Sequence, residues 1–256
     1  MVWTVLRRKL VGTKSLATAP VHVSQIFITD SSSKILSPAL EKNVASVQSH
    51  FPDCQHTLYS GPELRDFIVQ HFEPEVVVAY DSLTAYAAKA DLGRYCLLYV
   101  LGGWYFDIGI DVIANYKPSE ETQFLAFRDI QRHTLSTWAC ATSVLYAKPG
   151  SKFLDVGISM VVRNCSEKYY GLTPLCPTGP TVLGEALASF RAQPDCVFGD
   201  HLELTPSHSD KNRAFVLPDG KILAFTKRAE GGDLKALGAK GINNYNVLWH
   251  ARKFYA

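Results

Sequence analysis

Strand and helix signals alternate along the first hundred residues, and this order constrains the fold more than any other feature. A short apolar run at 24–29 predicts a buried strand, and the spacing of apolar residues over 38–50 predicts a helix. Residues 56–60 predict a second strand, and the segment 63–72 predicts a second helix. Such alternation is typical of an α/β domain with a largely parallel sheet.

Helix signals follow over residues 75–101. The segment 75–83 carries both signals: its three consecutive valines favour a strand, whereas its short distance to the following element favours a helix, which is the interpretation we prefer. Residues 83–101 predict a helix that Gly102-Gly103 ends. On it, Asp91 and Arg94 are three residues apart and therefore share a face. Spacing alone would also suit a surface ion pair.

The segment GGWYFDIGIDV, residues 102–112, places two carboxylates on a strand-like stretch. Period-two alternation directs Asp107 and Asp111 to one face and the large apolar side chains to the other. Residues four apart in a regular strand lie roughly 13 Å apart, too far for both to bind one Mg²⁺ directly. Gly109 could bend the chain and bring Asp111 back. Alternatively, Asp111 caps a turn and Asp107 acts alone or through a water.

Length and composition indicate one domain over residues 1–256, with enough apolar side chains, 47%, to bury a core. The net charge of +2 gives no reason to expect nucleic acid as a partner. Six cysteines without CxxC or zinc-like spacing indicate reduced, mostly buried thiols of a cytoplasmic protein.

The apolar run within residues 1–19 is too short for a signal peptide or a membrane span. We expect a loosely ordered leader there, or a weak anchor that leaves the protein peripheral to a membrane.

Several common motifs are missing from the sequence. It contains no GxxxxGK[ST] or GxGxxG phosphate loop, no HExxH zinc motif and no GxSxG nucleophile elbow. The eight histidines are scattered, and we interpret each as a surface or structural residue. Near the carboxyl end, Asp219-Gly220 between two apolar runs predicts a hairpin.

The stretch KADLGRYCLLYVLGGWYFD, residues 89–107, closely resembles the signature of the DXD-containing sugar transferases, glycosyltransferase family 32. That family includes yeast α-mannosyltransferases, bacterial polysaccharide enzymes and, more distantly, the clostridial glucosylating toxins. Its pattern is an aspartate, two residues, Arg-Tyr, an apolar helix end, Gly-Gly-x-Tyr and Asp-x-Asp. Every element is present except the last aspartate, whose position is Gly109. Looser resemblance extends to residues 20–28, to Thr178-Gly179-Pro180 and to residues 243–249.

The resemblance implies a GT-A fold, a Rossmann-like α/β sandwich with a mixed, mainly parallel sheet. It also implies a hexosyltransferase that moves a sugar from a UDP- or GDP-sugar, with retention at the anomeric carbon, to a glycan, glycolipid or protein acceptor, as in polysaccharide biosynthesis. By the same resemblance, the catalytic residues are Asp91, Arg94 and Asp107. Donor binding falls to those three and to Gln25, Phe27 (where tryptophan is usual), Tyr105, Asn243, Asn244 and Trp249. A divalent cation, Mn²⁺ or Mg²⁺, is expected at Asp107 and Asp111.

Two further interpretations remain open on the sequence. Because glycine replaces the second aspartate of the motif, the chain could be a nucleotide-sugar-binding protein that has lost or altered its catalysis. A metal-dependent phosphoesterase is the weaker one, since no general base for it is evident in the sequence.

Overall fold

The structure, a computed structural model, describes residues 21–29, 34–204, 213–226 and 243–256. The leader or membrane anchor expected within residues 1–19 lies outside the described residues. Within them, no helix combines the length and the apolar character needed to cross a membrane.

The described residues form nine strands and eight helices, and strand and helix alternate over residues 22–71 as the sequence predicts. The strands are β1 (His22–Ile26), β2 (Gln55–Tyr59), β3 (Gly103–Phe106), β4 (Ile110–Val112), β5 (Phe124–Arg128), β6 (Cys140–Ala147), β7 (Cys196–Glu203), β8 (Arg213–Val216) and β9 (Ile222–Thr226). The helices are α1 (Pro38–His50), α2 (Gly61–His71), α3 (Pro74–Ser82), α4 (Tyr86–Leu101), α5 (Gln131–Thr134), α6 (Lys152–Ser166), α7 (Pro180–Ala188) and α8 (Tyr245–His250). The ambiguous segment 75–83 is thus mostly helical, as preferred, and the hairpin at 219–220 joins β8 to β9.

One sheet contains all nine strands, in the order β2-β1-β3-β6-β5-β7-β8-β9-β4. It is mixed, as predicted, but the expectation of a mainly parallel sheet is wrong for the described strands. Only β1–β2, β1–β3 and β5–β7 pair in parallel, while the other five pairings are antiparallel. Parallel pairing needs a long crossover, which α1 to α4 supply between the first three strands. From β6 onwards antiparallel pairing prevails, and the tight turn between β8 and β9 allows nothing else.

Strand directions bring several carboxyl ends to one edge of the sheet. β3 and β5 are each antiparallel to β6, so they run the same way as each other. β1 is parallel to β3, and β7 is parallel to β5. In open α/β sheets this is the edge at which ligands bind.

Apolar side chains cover both faces of the sheet. Helices α2, α3, α4, α6 and α7 pack on one face, where Tyr95 and Tyr105 are fully buried. Helix α1 packs on the other face, against Trp104 and Phe106. The alternation predicted from period two therefore holds along β3. All six cysteines are free thiols, four of them buried, and burial raises the pKa of Cys140 to about 12.

The two glycines that end α4 permit its close return into β3. Gly103 has a φ of +82°, and a Cβ there would lie 2.1 Å from the carbonyl oxygen of His22 on β1. A side chain would therefore suffer both left-handed strain and a clash with backbone that cannot move aside.

Gly103→Ala is accordingly expected to lower the free energy of unfolding by about 3 kcal/mol. Gly150→Ala is the matched control, because Gly150 has a φ of +73° but open space around its missing Cβ. That control should cost only about 1–2 kcal/mol, the strain of the left-handed conformation. Urea unfolding of both variants measures the difference, and equal losses would contradict the close approach of β1.

Candidate functional site

A cavity of about 440 Å³ opens at the edge where the carboxyl ends of these strands meet. Polar and charged side chains from distant parts of the chain converge on it. Its lining includes Asp91 and Arg94 from α4, Asp107 after β3, Thr142 on β6, Asp129 after β5, His201 on β7 and Thr178 before α7.

The chain turns sharply directly after β3, and this turn presents Asp107 to the cavity. The amide of Ile110 donates to the carbonyl of Asp107 at 3.0 Å, which closes a tight turn over Ile108 and Gly109. Helix α1 holds the turn, since Asn43 Nδ2 donates to the carbonyl of Ile108 at 3.2 Å. The single regular strand considered for residues 104–113 is thus broken: β3 pairs with β1 and β6, whereas β4 pairs with β9 at the end of the sheet order.

Gly109 lies in this turn without any geometric need for glycine. It is absent from the glycines with positive φ, and a Cβ built there meets no heavy atom within 4 Å. The strand is thus interrupted at residues 107–109, but the interruption does not require glycine, because a larger residue would fit at position 109. Asp111 lies on β4, is 8% exposed and is not part of the cavity lining. Its role as a second metal ligand stays a prediction.

The guanidinium of Arg94 is the centre of the site and is 4% exposed. Nε donates to the carbonyl of Ala90 at 3.0 Å, and Nη1 donates to the carbonyl of Thr142 at 2.7 Å. Nη1 also lies 3.2 Å from Asp107 Oδ1, and Nη2 lies 3.3 Å from Asp91 Oδ1. One buried cation therefore fixes both carboxylates, on the helix and after the strand. The pair is not the surface ion pair that spacing alone would allow.

Two threonines also hold Asp91. Thr178 Oγ1 donates to Asp91 Oδ2 at 2.9 Å, and Thr142 Oγ1 donates to Oδ1 at 3.2 Å. The hydroxyl of Tyr95 donates to the carbonyl of Thr178 at 3.0 Å, which fixes the segment before α7. The Arg-Tyr and Thr-Gly-Pro elements of the sequence thus meet at Asp91.

Burial and opposite charges act against each other in this network. Burial raises the pKa of Asp91, and Arg94 and Thr178 partly oppose that rise. Burial alone would lower the pKa of Arg94, but Asp107, Tyr105 and Asp91 together raise it. Arg94 therefore stays charged, and Asp91 has a compensating partner in a region that water hardly reaches.

Asp107 is the most exposed carboxylate of the network, with 35% of its side chain accessible. Its Oδ1 accepts from the buried hydroxyl of Tyr105 at 2.7 Å, besides the contact with Arg94. The guanidinium of Arg94 also lies over the Tyr105 ring, 4.7 Å from its centroid. Two groups thus hold Oδ1 of Asp107, whereas the described residues offer no hydrogen bond to its Oδ2.

The side chains of the site could supply only part of the ligands of a divalent ion. Among the described residues, no group of three His, Cys, Asp or Glu side chains could enclose a metal. Mg²⁺, however, is commonly held by one or two carboxylates together with substrate phosphates and waters. The free oxygen of Asp107 fits that mode, in which the protein supplies one ligand.

The first predicted donor-binding residues lie at the end of β1, outside the cavity lining. Gln25 is 3% exposed, and its Nε2 has no hydrogen-bond partner among the described residues. Phe27 is buried against Leu40 of α1 and Ile108 of the turn. The roles of Gln25 and Phe27 in donor binding stay predictions.

The predicted carboxyl-terminal residues attach the tail to α4 and to the segment before α7. Asn243 accepts from the amide of Tyr86 at 2.6 Å, and Asn244 caps α8. Trp249 Nε1 donates to the carbonyl of Tyr170 at 2.8 Å. Their neighbours Tyr245 and Asn246 line the cavity instead. The tail thus reaches the cavity, while direct donor contacts of the three predicted residues stay predictions.

Sequence reasoning missed a second polar group on the cavity wall. His201 Nδ1 lies 2.9 Å from Asp129 Oδ1, and both residues line the cavity. The sequence contains only one usable signal for it: each residue belongs to a run of polar residues at the end of an apolar strand. Thr142 and Tyr95 were also missed, because no spacing in the sequence indicates Asp91 as the partner of Thr142 or Thr178 as the partner of Tyr95.

Comparisons with known proteins match parts of the chain to glycosyltransferases. A family model described as "Glycosyltransferase sugar-binding region containing DXD motif" matches residues 37–127. Inositol phosphoceramide mannosyltransferase 3 of Schizosaccharomyces pombe is 28% identical over 156 residues, 59% of this chain and 41% of that protein. An uncharacterized glycosyltransferase of Acanthamoeba polyphaga mimivirus is 37% identical over 54 residues, 21% of this chain and 22% of that protein. The chain thus spans less than half the length of either relative.

The solved structure of the PaToxG glycosyltransferase superposes with a TM-score of 0.50 at 14% identity, over 66% of this chain and 70% of that one. At such low identity the likeness concerns the fold alone. The superposition shows a fold like that of this glycosyltransferase. Over residues 37–127 the chain is similar to the DXD-containing glycosyltransferases.

Proposed function

We propose that the chain transfers a hexose from a UDP- or GDP-sugar, with retention at the anomeric carbon, to a hydroxyl of a glycan, glycolipid or protein. The observation that carries the proposal is the buried Arg94, which fixes Asp91 and Asp107 side by side on the cavity wall. Oriented carboxylates suit the hydroxyls of a donor sugar, and fixed charges in a dry site need no rearrangement during reaction. Retention rests on the resemblance in sequence.

The charges on this wall support a divalent cation as the cofactor. Asp91 and Asp107 carry two negative charges against the single positive charge of Arg94. A nucleoside diphosphate would add negative charge beside Asp107. A divalent ion held by Asp107 and the diphosphate would neutralise the leaving group as a Lewis acid. The protein's own part is to hold Asp107, since Arg94 and Tyr105 fix its orientation.

The most informative test is nucleotide release from UDP- and GDP-sugars by purified protein, with Mn²⁺, with Mg²⁺ and with a chelator. We expect slow release from one donor class in the absence of acceptor, and faster release with Mn²⁺. NMR of the anomeric proton of the product would then establish retention or inversion. No release from any donor under all three conditions would overturn the proposal.

A nucleotide-sugar-binding protein without turnover is the second candidate, and Gly109 in place of the second motif aspartate is the observation that favours it. It predicts a thermal shift with UDP or GDP but no nucleotide release. A phosphoesterase would instead cleave a simple phosphate ester in a screen of divalent ions.

Gly109→Asp tests how much the missing carboxylate matters, because the turn has room for the new side chain. We expect the Mn²⁺ concentration for half-maximal nucleotide release to fall about tenfold, roughly 1.4 kcal/mol of binding. Gly109→Asn, of equal size and without charge, is the matched control. Equal effects of both substitutions would contradict a metal position beside residue 109.

The proposal also covers the cellular compartment of the enzyme and the biosynthesis in which it acts. Six free thiols suit a reducing compartment, so we place the enzyme in the cytoplasm, where it would serve polysaccharide or glycolipid synthesis. The name of the fission-yeast relative, a mannosyltransferase of inositol phosphoceramide, favours GDP-mannose and an inositol-containing glycolipid for this chain as well.

A further inference from the structure

A histidine–aspartate pair occupies the part of the cavity wall that Asp91, Arg94 and Asp107 do not form. Parallel pairing of β5 with β7 sets Arg128 beside Asp200, so the next residues, Asp129 and His201, also lie side by side. His201 Nδ1 lies 2.9 Å from Asp129 Oδ1, and their side chains are 7% and 11% exposed. The pair is therefore built into the sheet.

The partners of the imidazole determine which of its nitrogens carries the proton. An ionised carboxylate only accepts hydrogen bonds, so Nδ1 of His201 must be the donor to Asp129. In the neutral form of the ring, Nε2 has a lone pair. The amide of Ile130 also donates to Asp129 Oδ1, at 2.8 Å, which fixes the carboxylate. Phe215 stacks on the imidazole at 4.3 Å with an interplanar angle of 7°. The ring is thus fixed in tautomer and in plane.

Nε2 of His201 is buried and has no hydrogen-bond partner among the described residues. A buried polar atom without a partner costs about 1–3 kcal/mol, and an ordered water or a bound molecule commonly supplies the partner. His201 lines the cavity, so a bound molecule can supply the partner once a small shift of the cavity wall uncovers Nε2. A lone pair on nitrogen calls for a donor, and a hydroxyl is the donor that sugars and cyclitols offer.

We propose that the Asp129–His201 pair binds the acceptor of the reaction, through a hydrogen bond from an acceptor hydroxyl to Nε2 of His201. This inference rests on the proposed function and adds to it the position of the acceptor. The donor sugar contacts the wall of Asp91 and Asp107, and the acceptor contacts the wall of β5 and β7. The bond directs the hydroxyl hydrogen to His201 and leaves the oxygen lone pairs of the acceptor facing the donor.

Two substitutions distinguish the roles of the two nitrogens of His201. Asparagine keeps a donor for Asp129 but has no atom near the position of Nε2, whereas glutamine can place an acceptor oxygen there. With methyl α-D-mannopyranoside and myo-inositol as probe acceptors, His201→Asn should raise the acceptor KM about tenfold, from the loss of one hydrogen bond. His201→Gln should restore most of that loss. An unchanged acceptor KM in His201→Asn, or a rise in the donor KM instead, would overturn the inference.

A measurement on the wild-type protein avoids any effect of substitution on folding and does not need turnover. In protein labelled with ¹⁵N-histidine and saturated with UDP or GDP, the Nε2 resonance of His201 should shift as either probe is added. The spectrum of His201→Gln assigns that resonance. A resonance that stays fixed at saturating probe overturns the inference. Absence of nucleotide release with a shifting resonance would instead count against the proposed transfer alone.

Discussion

Asp107→Asn is expected to lower the rate of nucleotide release by about 10²–10³-fold, the usual cost of removing one preorganised charged group from an active site. The amide keeps the size of the side chain and can still accept from Tyr105, so the turn after β3 should persist. What disappears is the negative charge that faces the cavity and the ligand for a cation. Release kinetics with saturating Mn²⁺ measure the effect.

Asp81→Asn is the matched control for this substitution. Asp81 also pairs with an arginine, at 2.7 Å from Arg65, but on the surface and outside the cavity lining. Its loss should change the release rate by less than about twofold, because exposed pairs contribute little. Normal turnover in Asp107→Asn, with an unchanged melting temperature, would remove Asp107 from the reaction.

Arg94→Met is expected to lower the free energy of unfolding by about 3–5 kcal/mol, because it leaves a buried carboxylate without its cation. Asp91 would then depend on Thr142 and Thr178 alone. Nucleotide release should disappear as well, since Asp107 loses the group that orients it. Urea unfolding measures the first effect, and the release assay measures the second.

The surface pair again provides the control, in Arg65→Met. Arg65 and Asp81 have 46% and 43% of their side chains exposed, so this substitution should cost only about 0–1 kcal/mol. Arg94→Lys addresses the case in which Arg94→Met fails to fold. It keeps the charge but cannot reach Ala90, Thr142 and both carboxylates at once, so the protein should fold and release nucleotide at least about tenfold more slowly. Equal stability losses in Arg94→Met and Arg65→Met would contradict a buried network.

Local signals in the sequence were sufficient for much of the fold. Apolar spacing located α1 and α4, and the glycines at 102–103 marked the end of α4. Alternation along 104–106 correctly assigned Trp104 and Phe106 to one face and Tyr105 to the other. These features depend on neighbours in the chain, which period and propensity describe well. The sheet was predicted as mainly parallel because the alternation of strand and helix signals in the first half was assumed to continue along the whole chain.

The site depended on contacts that no local pattern encodes. Resemblance to the family indicated Asp91, Arg94 and Asp107, but the 14% and 35% exposure of the two carboxylates follows from packing of α4 against β6 and the segment before α7. Asp129 and His201 are 72 residues apart and meet only through the register of β5 and β7. A lone histidine in a strand gives no sign of such a partner. The break at Gly109 was likewise one of several options until β4 was found paired with β9.

The most direct test of the donor site is a crystal structure of the wild-type protein with Mn²⁺ and with UDP or GDP, whichever inhibits nucleotide release. The diphosphate should lie in the cavity within coordination distance of an ion bound to Asp107, with Arg94 still holding both carboxylates. A nucleotide bound elsewhere on the protein, with the cavity beside Asp91 and Asp107 free of it, would contradict the proposed site.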